Sequence, residues 1–188
     1  MFVNALGITA SAGVGIAEKV CAFIMLIPSA FMQSISAFVA QNVGAHKIDR
    51  ANKTLYSGIV ISLVFGILMS FLTFHLRTNM TSIFTAHTAV MAAGADYLEA
   101  YAIDCLLTCF LFCFVGFYNG VGQTIFVMIQ EIVGAFGVRI PVAYVMSHQR
   151  PVSLFHIGLA TPCSTLVQII ICLIVFHHMK TKLKESRT

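Results

Sequence analysis

The run from Leu154 to Met179 contains no Asp, Glu, Lys or Arg. A helix of about 20 apolar residues, rising 1.5 Å per residue, crosses the roughly 30 Å hydrocarbon layer of a bilayer, so this run is long enough to cross with some tilt. Leu55–Leu76 is equally free of charge, and between Glu99 and Glu131 the one charged residue is Asp104. From Gly13 to Ala40 only the adjacent pair Glu18 and Lys19 interrupts the apolar sequence. Hydrophobic residues make up 59% of the chain and charged residues 10%, with a mean hydropathy of +0.91. Soluble domains run at about 45–50% apolar and about 25% charged, so lipid rather than water is the solvent for most of this surface.

These runs predict an all-α, polytopic transmembrane bundle of five full spans, at about 13–40, 55–76, 97–118, 124–146 and 154–179. Residues 1–10 read as the tail of a preceding helix and 180–188 as a basic tail. Residues 41–53 are polar, basic and contain Gly44, which predicts a loop. Arg77 to Glu99 mixes polar and apolar residues around Gly94 and predicts a second loop carrying a surface helix. Asn119–Gln123 and Ser147–Pro151 predict turns. Met1 opens into apolar sequence without the charged leader of a signal peptide.

The basic residues orient the bundle. Lys47, Arg50, Lys53, Lys180, Lys182, Lys184 and Arg187 fall on one side, against Arg77 and Arg150 on the other. Short cytoplasmic loops collect Lys and Arg, which puts the first set and the C-terminus in the cytoplasm. Sparse cations at the edges of apolar runs do not form a nucleic-acid patch despite the net charge of +4. Six cysteines lack the spacing of a zinc module or a secreted disulfide framework, and Cys105, Cys109 and Cys113 recur every fourth residue as a packing stripe. Walker, nucleophile-elbow and His-Glu-x-x-His sequences are absent, so neither ATP-driven transport nor hydrolysis has support, and no metal or organic cofactor is expected.

A charge within a span costs about 2.5–3.5 kcal/mol on insertion scales, which makes Asp104 the leading functional candidate. Placed about two turns into the third span, it is suited to hold a proton, a sodium ion or a cationic solute in turn. Thr108, one turn further on the same face, offers a second oxygen. Glu18 is a weaker candidate near the outer edge of the first span, with Lys19 snorkelling away from it. Pro28, Pro141 and Pro162 each remove a backbone hydrogen bond and favour a bend, and Arg139 is placed to donate to carbonyls freed near Pro141. At eight residues' separation, about 12 Å of rise, Glu131 and Arg139 are not expected to pair directly. Gly116 and Gly120 form a small-xxx-small pair for close helix contact. Asn79-Met80-Thr81 fits the glycosylation pattern.

The stretch Ser36-Ala37-Phe38-Val39-Ala40-Gln41-Asn42-Val43-Gly44-Ala45-His46-Lys47-Ile48-Asp49-Arg50-Ala51 resembles the end of the eighth helix and the following cytoplasmic loop of the multidrug and toxic compound extrusion (MATE) family. Within it, Gln41, Asn42, Gly44 and Arg50 carry the loop motif. Gly116-Phe117-Tyr118-Asn119-Gly120-Val121-Gly122-Gln123-Thr124 resembles that family's tenth helix and its turn, and Val138–Tyr144 resembles the eleventh.

The resemblance implies helices eight to twelve of a twelve-helix, two-lobe transporter, with residues 1–10 as the tail of the seventh and the N-terminal lobe missing. This chain would then be a gene fragment or half of a split protein. The resemblance further implies secondary active efflux by alternating access in the bacterial cytoplasmic membrane, driven by entry of H+ or Na+, with cationic or amphipathic compounds as substrates. Asp104 matches the tenth-helix aspartate that several members use for cation coupling, and Glu18 lies near an acidic position of some members. Two other readings remain open: a lipid-linked oligosaccharide flippase of the same superfamily, and a five-helix membrane subunit that transports nothing.

Overall fold

The computed structural model describes residues 8–148 and 154–185. In chain order these form α1 (Ile8–Ile24), α2 (Leu26–Gly44), α3 (Ile48–Ser82), α4 (Thr88–Gly120), α5 (Thr124–Ile132), a π-helical segment (Val133–Arg139), α6 (Ile140–His148), α7 (Leu154–Gly158) and α8 (Ala160–Glu185). They make five stretches long and apolar enough to cross a membrane, with α1–α2, α5–α6 and α7–α8 each acting as one interrupted span.

All three interruptions sit beside the proline of their span. A proline ring clashes with the carbonyl four residues earlier and supplies no N–H to it. Ahead of Pro28 the helix breaks at Met25, and ahead of Pro162 it breaks at Leu159, three residues upstream in each case. Regular winding resumes at once, since Met25 N–H reaches Cys21 O and Ser29 N–H reaches Met25 O at 2.9 and 3.1 Å. Ahead of Pro141 the chain widens into i→i+5 turns, so that Ile140 N–H donates to Ala135 O. A π-turn absorbs the missing bond without stopping the helix.

The helices run past the expected spans at almost every end. Of the expected 41–53 loop only Ala45, His46 and Lys47 are non-helical. Lys47 N–H closes back onto Asn42 O at 2.8 Å, with His46 in the left-handed region at φ 57°, a compact helix-ending motif that composition does not reveal. Gly122 plays the same part after α4 at φ 82°, where Gln123 N–H reaches Tyr118 O at 2.8 Å. The expected 77–99 loop with a surface helix is also corrected. Its polar residues extend α3 to Ser82 and start α4 at Thr88, leaving a five-residue connection. Arg77 and Glu99, read as loop residues, form a 2.7 Å ion pair between α3 and α4. Gly94 does not break the chain, because it lets α4 approach Gly13 of α1, where a methyl group on either glycine would crowd the other helix. Ile8–Ala10 belong to α1 and not to a separate preceding helix, and residues 1–7 of that expectation lie outside the described residues. Residues 180–185 continue α8, while 186–188 and most of the expected 147–151 turn lie outside the described residues.

α4 is the central helix. In its most apolar stretch 72% of residues are buried, against 39% or less in each other span, and α1, α2, α3, α7 and α8 all pack on it. Small side chains permit this. Cys105, Cys109 and Cys113 are buried along it, and a methyl group added to Gly116 would overlap the Met32 carbonyl of α2. One turn on, Gly120 meets Ser36 and Val39 in the same way. Polar cross-links add to the α3–α4 contact, with Ser62 donating to Cys109 O at 3.1 Å and Ser70 to Ala102 O at 2.6 Å. Asn79 and Thr81 lie in helix α3, and the Thr81 hydroxyl is buried and donates to Thr78 O at 2.9 Å. Replacing Gly116 by Leu forces α2 away from α4, and the expected loss of about 1–3 kcal/mol is read as a lower unfolding temperature in detergent. An unchanged melt would show that the crossing is not close.

Candidate functional site

Asp104 lies sixteen residues from Thr88 and sixteen from Gly120, so it stands about 24 Å from either end of α4. Asp104 thus stands at the middle of the candidate span Thr88–Gly120 and not two turns into it, because α4 begins nine residues before the expected start at residue 97. The residue is 0% exposed. Both carboxylate oxygens are partnered. Thr108 Oγ1, one turn on in α4, donates to Oδ2 at 3.2 Å, and Thr165 Oγ1 of α8 lies 2.6 Å from Oδ1. Thr165 Oγ1 also lies 3.1 Å from Thr161 O, so one hydroxyl hydrogen faces two acceptors.

α8 reaches Asp104 because of how it is seated. Thr161, Ser164, Thr165 and Gln168 fall at i, i+3, i+4 and i+7, one polar stripe on the otherwise apolar stretch of α8 that precedes His177. Ser164 Oγ donates to Gly134 O at 2.7 Å, which ties α8 to the π-segment. The side chain of Gln168 lies so close to Gly134 that a methyl group there would overlap it. The Cys172 thiol reaches Gln130 Oε1 at 3.3 Å, and Gln130 Nε2 donates to Glu131 Oε1 at 3.2 Å.

Beside Asp104 is a cavity of about 210 Å³ whose lining includes Thr108, Thr161, Ser164, Thr165, Gln168, Glu131 and Arg139. It has room for several waters and polar groups enough to hold them. At 100° per residue, eight α-helical residues would leave Glu131 and Arg139 about 80° apart. The wider turns between them wind less per residue and bring both to the cavity face. A mid-span carboxylate, a second carboxylate and a guanidinium therefore border one polar space, an arrangement suited to exchanging small cations or protons against charged solutes.

Of the residues singled out in the sequence, Asp104 and Thr108 are hydrogen-bonded to each other, and Arg139 joins them on the cavity. Glu18 lies on an exposed face of α1 and does not line the cavity. Gly116 and Gly120 shape the α2–α4 contact, and Pro28 is buried in α2 just past the break at Met25. Pro141 is the second residue of α6, separated from the π-segment by Ile140. Gln41, Asn42, Gly44 and Arg50 sit at the α2–α3 corner, where Asn42 Nδ2 donates to Phe38 O at 2.7 Å. Sequence reasoning missed Thr165, Ser164, Gln168 and the cavity position of Glu131. The polar stripe at helical spacing in the last span was the available signal for the first three.

A bundle of five membrane-length helices around a buried mid-span carboxylate defines a polytopic α-helical membrane protein. The family model for MatE matches residues 1–145, and the chain belongs to the MatE family of multidrug and toxic compound extrusion transporters. Among relatives, it is 23% identical over 181 residues to the "Probable multidrug resistance protein YoeA" of Bacillus subtilis (strain 168), covering 90% of this chain and 37% of that protein. Solved MATE structures share the fold. One described as an outward-facing conformation of a multidrug resistance MATE family transporter matches with a TM-score of 0.84 at 18% identity, over 91% of this chain and 38% of its own. Another, described as an inward-facing conformation, matches with a TM-score of 0.81 at 13% identity, over 100% of this chain and 44% of its own. The chain thus spans less than half the length of these relatives.

Thr165→Val keeps the shape of the side chain and removes the donor to Asp104. The expected cost is about 1.5–3 kcal/mol at a pH where Asp104 is ionised, the range for a hydrogen bond to a charged group, read from thermal unfolding. Ser164→Ala, which leaves Gly134 O without its donor, is expected to cost about 1 kcal/mol in the same assay.

Proposed function

We propose that this chain supplies the ion-coupling lobe of a secondary active multidrug exporter, in which Asp104 alternately holds the entering cation and releases it as substrate leaves. The observation that carries this reading is the carboxylate at mid-span held by two hydroxyls beside a polar cavity. Thr165 suits such a cycle. While Asp104 is ionised, the Thr165 hydroxyl donates to Oδ1. Once Asp104 is protonated it donates to Thr165 Oγ1, and the threonine hydrogen turns to Thr161 O. Neither state leaves a buried donor unpaired, which keeps the cost of switching low. Thr108 and the cavity waters provide further oxygens for a bare cation such as Na+. Membership of a multidrug transporter family supports efflux of cationic or amphipathic compounds, their positive charge complementing Asp104 and Glu131.

In this reading the cationic α2–α3 corner and the end of α8 face the cytoplasm of a cell membrane, following the excess of Lys and Arg there. The remaining wall of the substrate path comes from a second lobe, as in transporters built from two related halves. The orientation is checked by a fluorescent protein fused after Thr188, which is expected to fluoresce, while a periplasmic phosphatase at the same place is expected to stay inactive.

In vesicles containing the transporting assembly, Asp104→Asn is expected to abolish drug movement driven by an imposed H+ or Na+ gradient while membrane insertion is retained. The amide preserves volume and most hydrogen bonds but cannot change charge. Gradient-driven uptake at the wild-type rate in the asparagine variant would remove Asp104 from the coupling role. Comparing pH-jump with Na+-jump vesicles identifies the ion.

A further inference from the structure

A second cavity, of about 500 Å³, lies between α2 and α3 and is lined by no residue of the Asp104 site. On α3 it is bordered by Arg50, Lys53, Thr54, Ser57, Gly58 and Ile61, spaced i, i+3, i+4, i+7, i+8 and i+11 along one helix face. On α2 the matching stripe is Phe31, Ser34, Ile35, Phe38 and Asn42. Both stripes cover about 16 Å of rise. The chemistry changes along that length. Arg50 and Lys53 stand at the end next to the Ala45–Lys47 corner, Ser34 and Ser57 follow, and Phe31 and Ile61 lie deepest. Gly58 sets the floor, since a methyl group there would crowd Ile35, and the Phe31 and Phe65 rings, 5.7 Å apart, close the far end.

No carboxylate lines this groove, and neither Arg50 nor Lys53 has an acidic partner among the described residues. The groove opens on the flank where Phe38, Val60, Ile61 and Val64 are exposed, within helices long and apolar enough to cross a membrane. A ligand with an anionic head and an apolar tail, entering along the membrane-facing side, matches both ends. We propose that this groove is a binding site for an anionic glycerophospholipid. Its phosphodiester sits between Arg50 and Lys53, its glycerol oxygens lie by Ser57 and Ser34, and the upper part of one acyl chain lies along Phe31, Phe38 and Ile61. A basic group in reach of the phosphodiester favours anionic lipid by about a factor of five, so Arg50 and Lys53 together make a preference of roughly thirtyfold over a zwitterionic lipid, while Lys47, outside the groove, adds little. A lipid seated there would bridge α2 and α3 at their cationic corner.

The test titrates the purified full chain in neutral detergent with phosphatidylglycerol and, separately, phosphatidylcholine, counting bound lipid by native mass spectrometry and following the melt. One tightly held phosphatidylglycerol per chain, preferred roughly thirtyfold, is expected. Arg50→Gln alone is expected to lower the preference about fivefold, and Arg50→Gln with Lys53→Gln to erase it, while the melt in phosphatidylcholine stays unchanged. Ser57→Phe fills the trough with both charges kept, and is expected to weaken phosphatidylglycerol binding at least tenfold. Lys47→Gln removes a charge from the same corner outside the groove and is expected to change affinity less than twofold. The proposal falls if the double variant keeps the preference, if Ser57→Phe binds as the wild type does, or if Lys47→Gln costs as much as Arg50→Gln. It also falls if glycerol 3-phosphate displaces phosphatidylglycerol at equal concentration, which would make the site one for soluble phosphate esters. Should the double variant not fold, Ser57→Phe and Lys47→Gln decide by the same criteria.

Discussion

Burying a carboxyl inside a membrane span imposes conditions on every element around it. Desolvating the group is expensive, and it persists where hydrogen-bond donors and a polar space are built to meet it. Thr108 comes from the same helix at no topological cost. Thr165 comes from 61 residues further along and requires α8 to lie against α4 in one register. That register is set by Ser164 on Gly134 O and by Gln168 over the bare α-carbon of Gly134, so the π-segment and α8 are fixed together. The same contacts place Glu131 and Arg139 along the cavity. The position of one carboxyl is therefore bound up with the packing of the whole second half of the chain.

The first half answers a different requirement, which is to let a largely apolar helix become the centre of a bundle. In lipid there is little hydrophobic gain from helix contact, and close van der Waals approach and interhelical hydrogen bonds take its place. Gly13, Gly66, Gly116 and Gly120 mark where α1, α2 and α3 meet α4. The cysteine stripe does the same work, with Cys109 Sγ against Gly66 and Cys109 O accepting from Ser62. α3, the most apolar span at a mean hydropathy of 2.3, is only 17% buried, so its outer face is left to lipid.

How much of this was legible in the sequence depends on the range of the interaction responsible. Uncharged length is a local property, and it located the five spans and Asp104. The pairing of Asp104 with Thr108 followed from helical spacing alone. Helix ends were misplaced because polar residues such as Arg77, Asn79 and Glu99 suit the headgroup layer as well as a loop, and α3 at about 52 Å is much longer than the hydrocarbon layer it crosses. Thr165 was illegible because nothing local distinguishes a threonine that reaches a distant carboxyl from one facing lipid. Glu131 was read only as too far along the helix to pair with Arg139, and their shared cavity went unseen because the wide turns before Pro141 are not announced by local sequence. Each proline announced an interruption, but not whether it becomes a break, as at Met25 and Leu159, or a widened helix, as at Val133–Arg139.

The widened stretch carries an implication for how this lobe tolerates change. A π-turn holds one residue more than the α-turn it replaces, so the stretch is equivalent to a single-residue insertion accommodated inside a helix. Shortening Val133–Arg139 by one residue would restore plain α-winding and leave the length and apolar character of the span nearly intact. Seven residues at α pitch wind about 700°, some 20° short of two turns, so Glu131 and Arg139 would still share a face after the deletion, whereas all eight wound at α pitch would leave them about 80° apart. A single-residue deletion here would keep the charges aligned, while straightening the stretch at its full length would not. In this part of the molecule the phase of a helix, more than the identity of any side chain on it, separates a packed bundle from one able to handle ions.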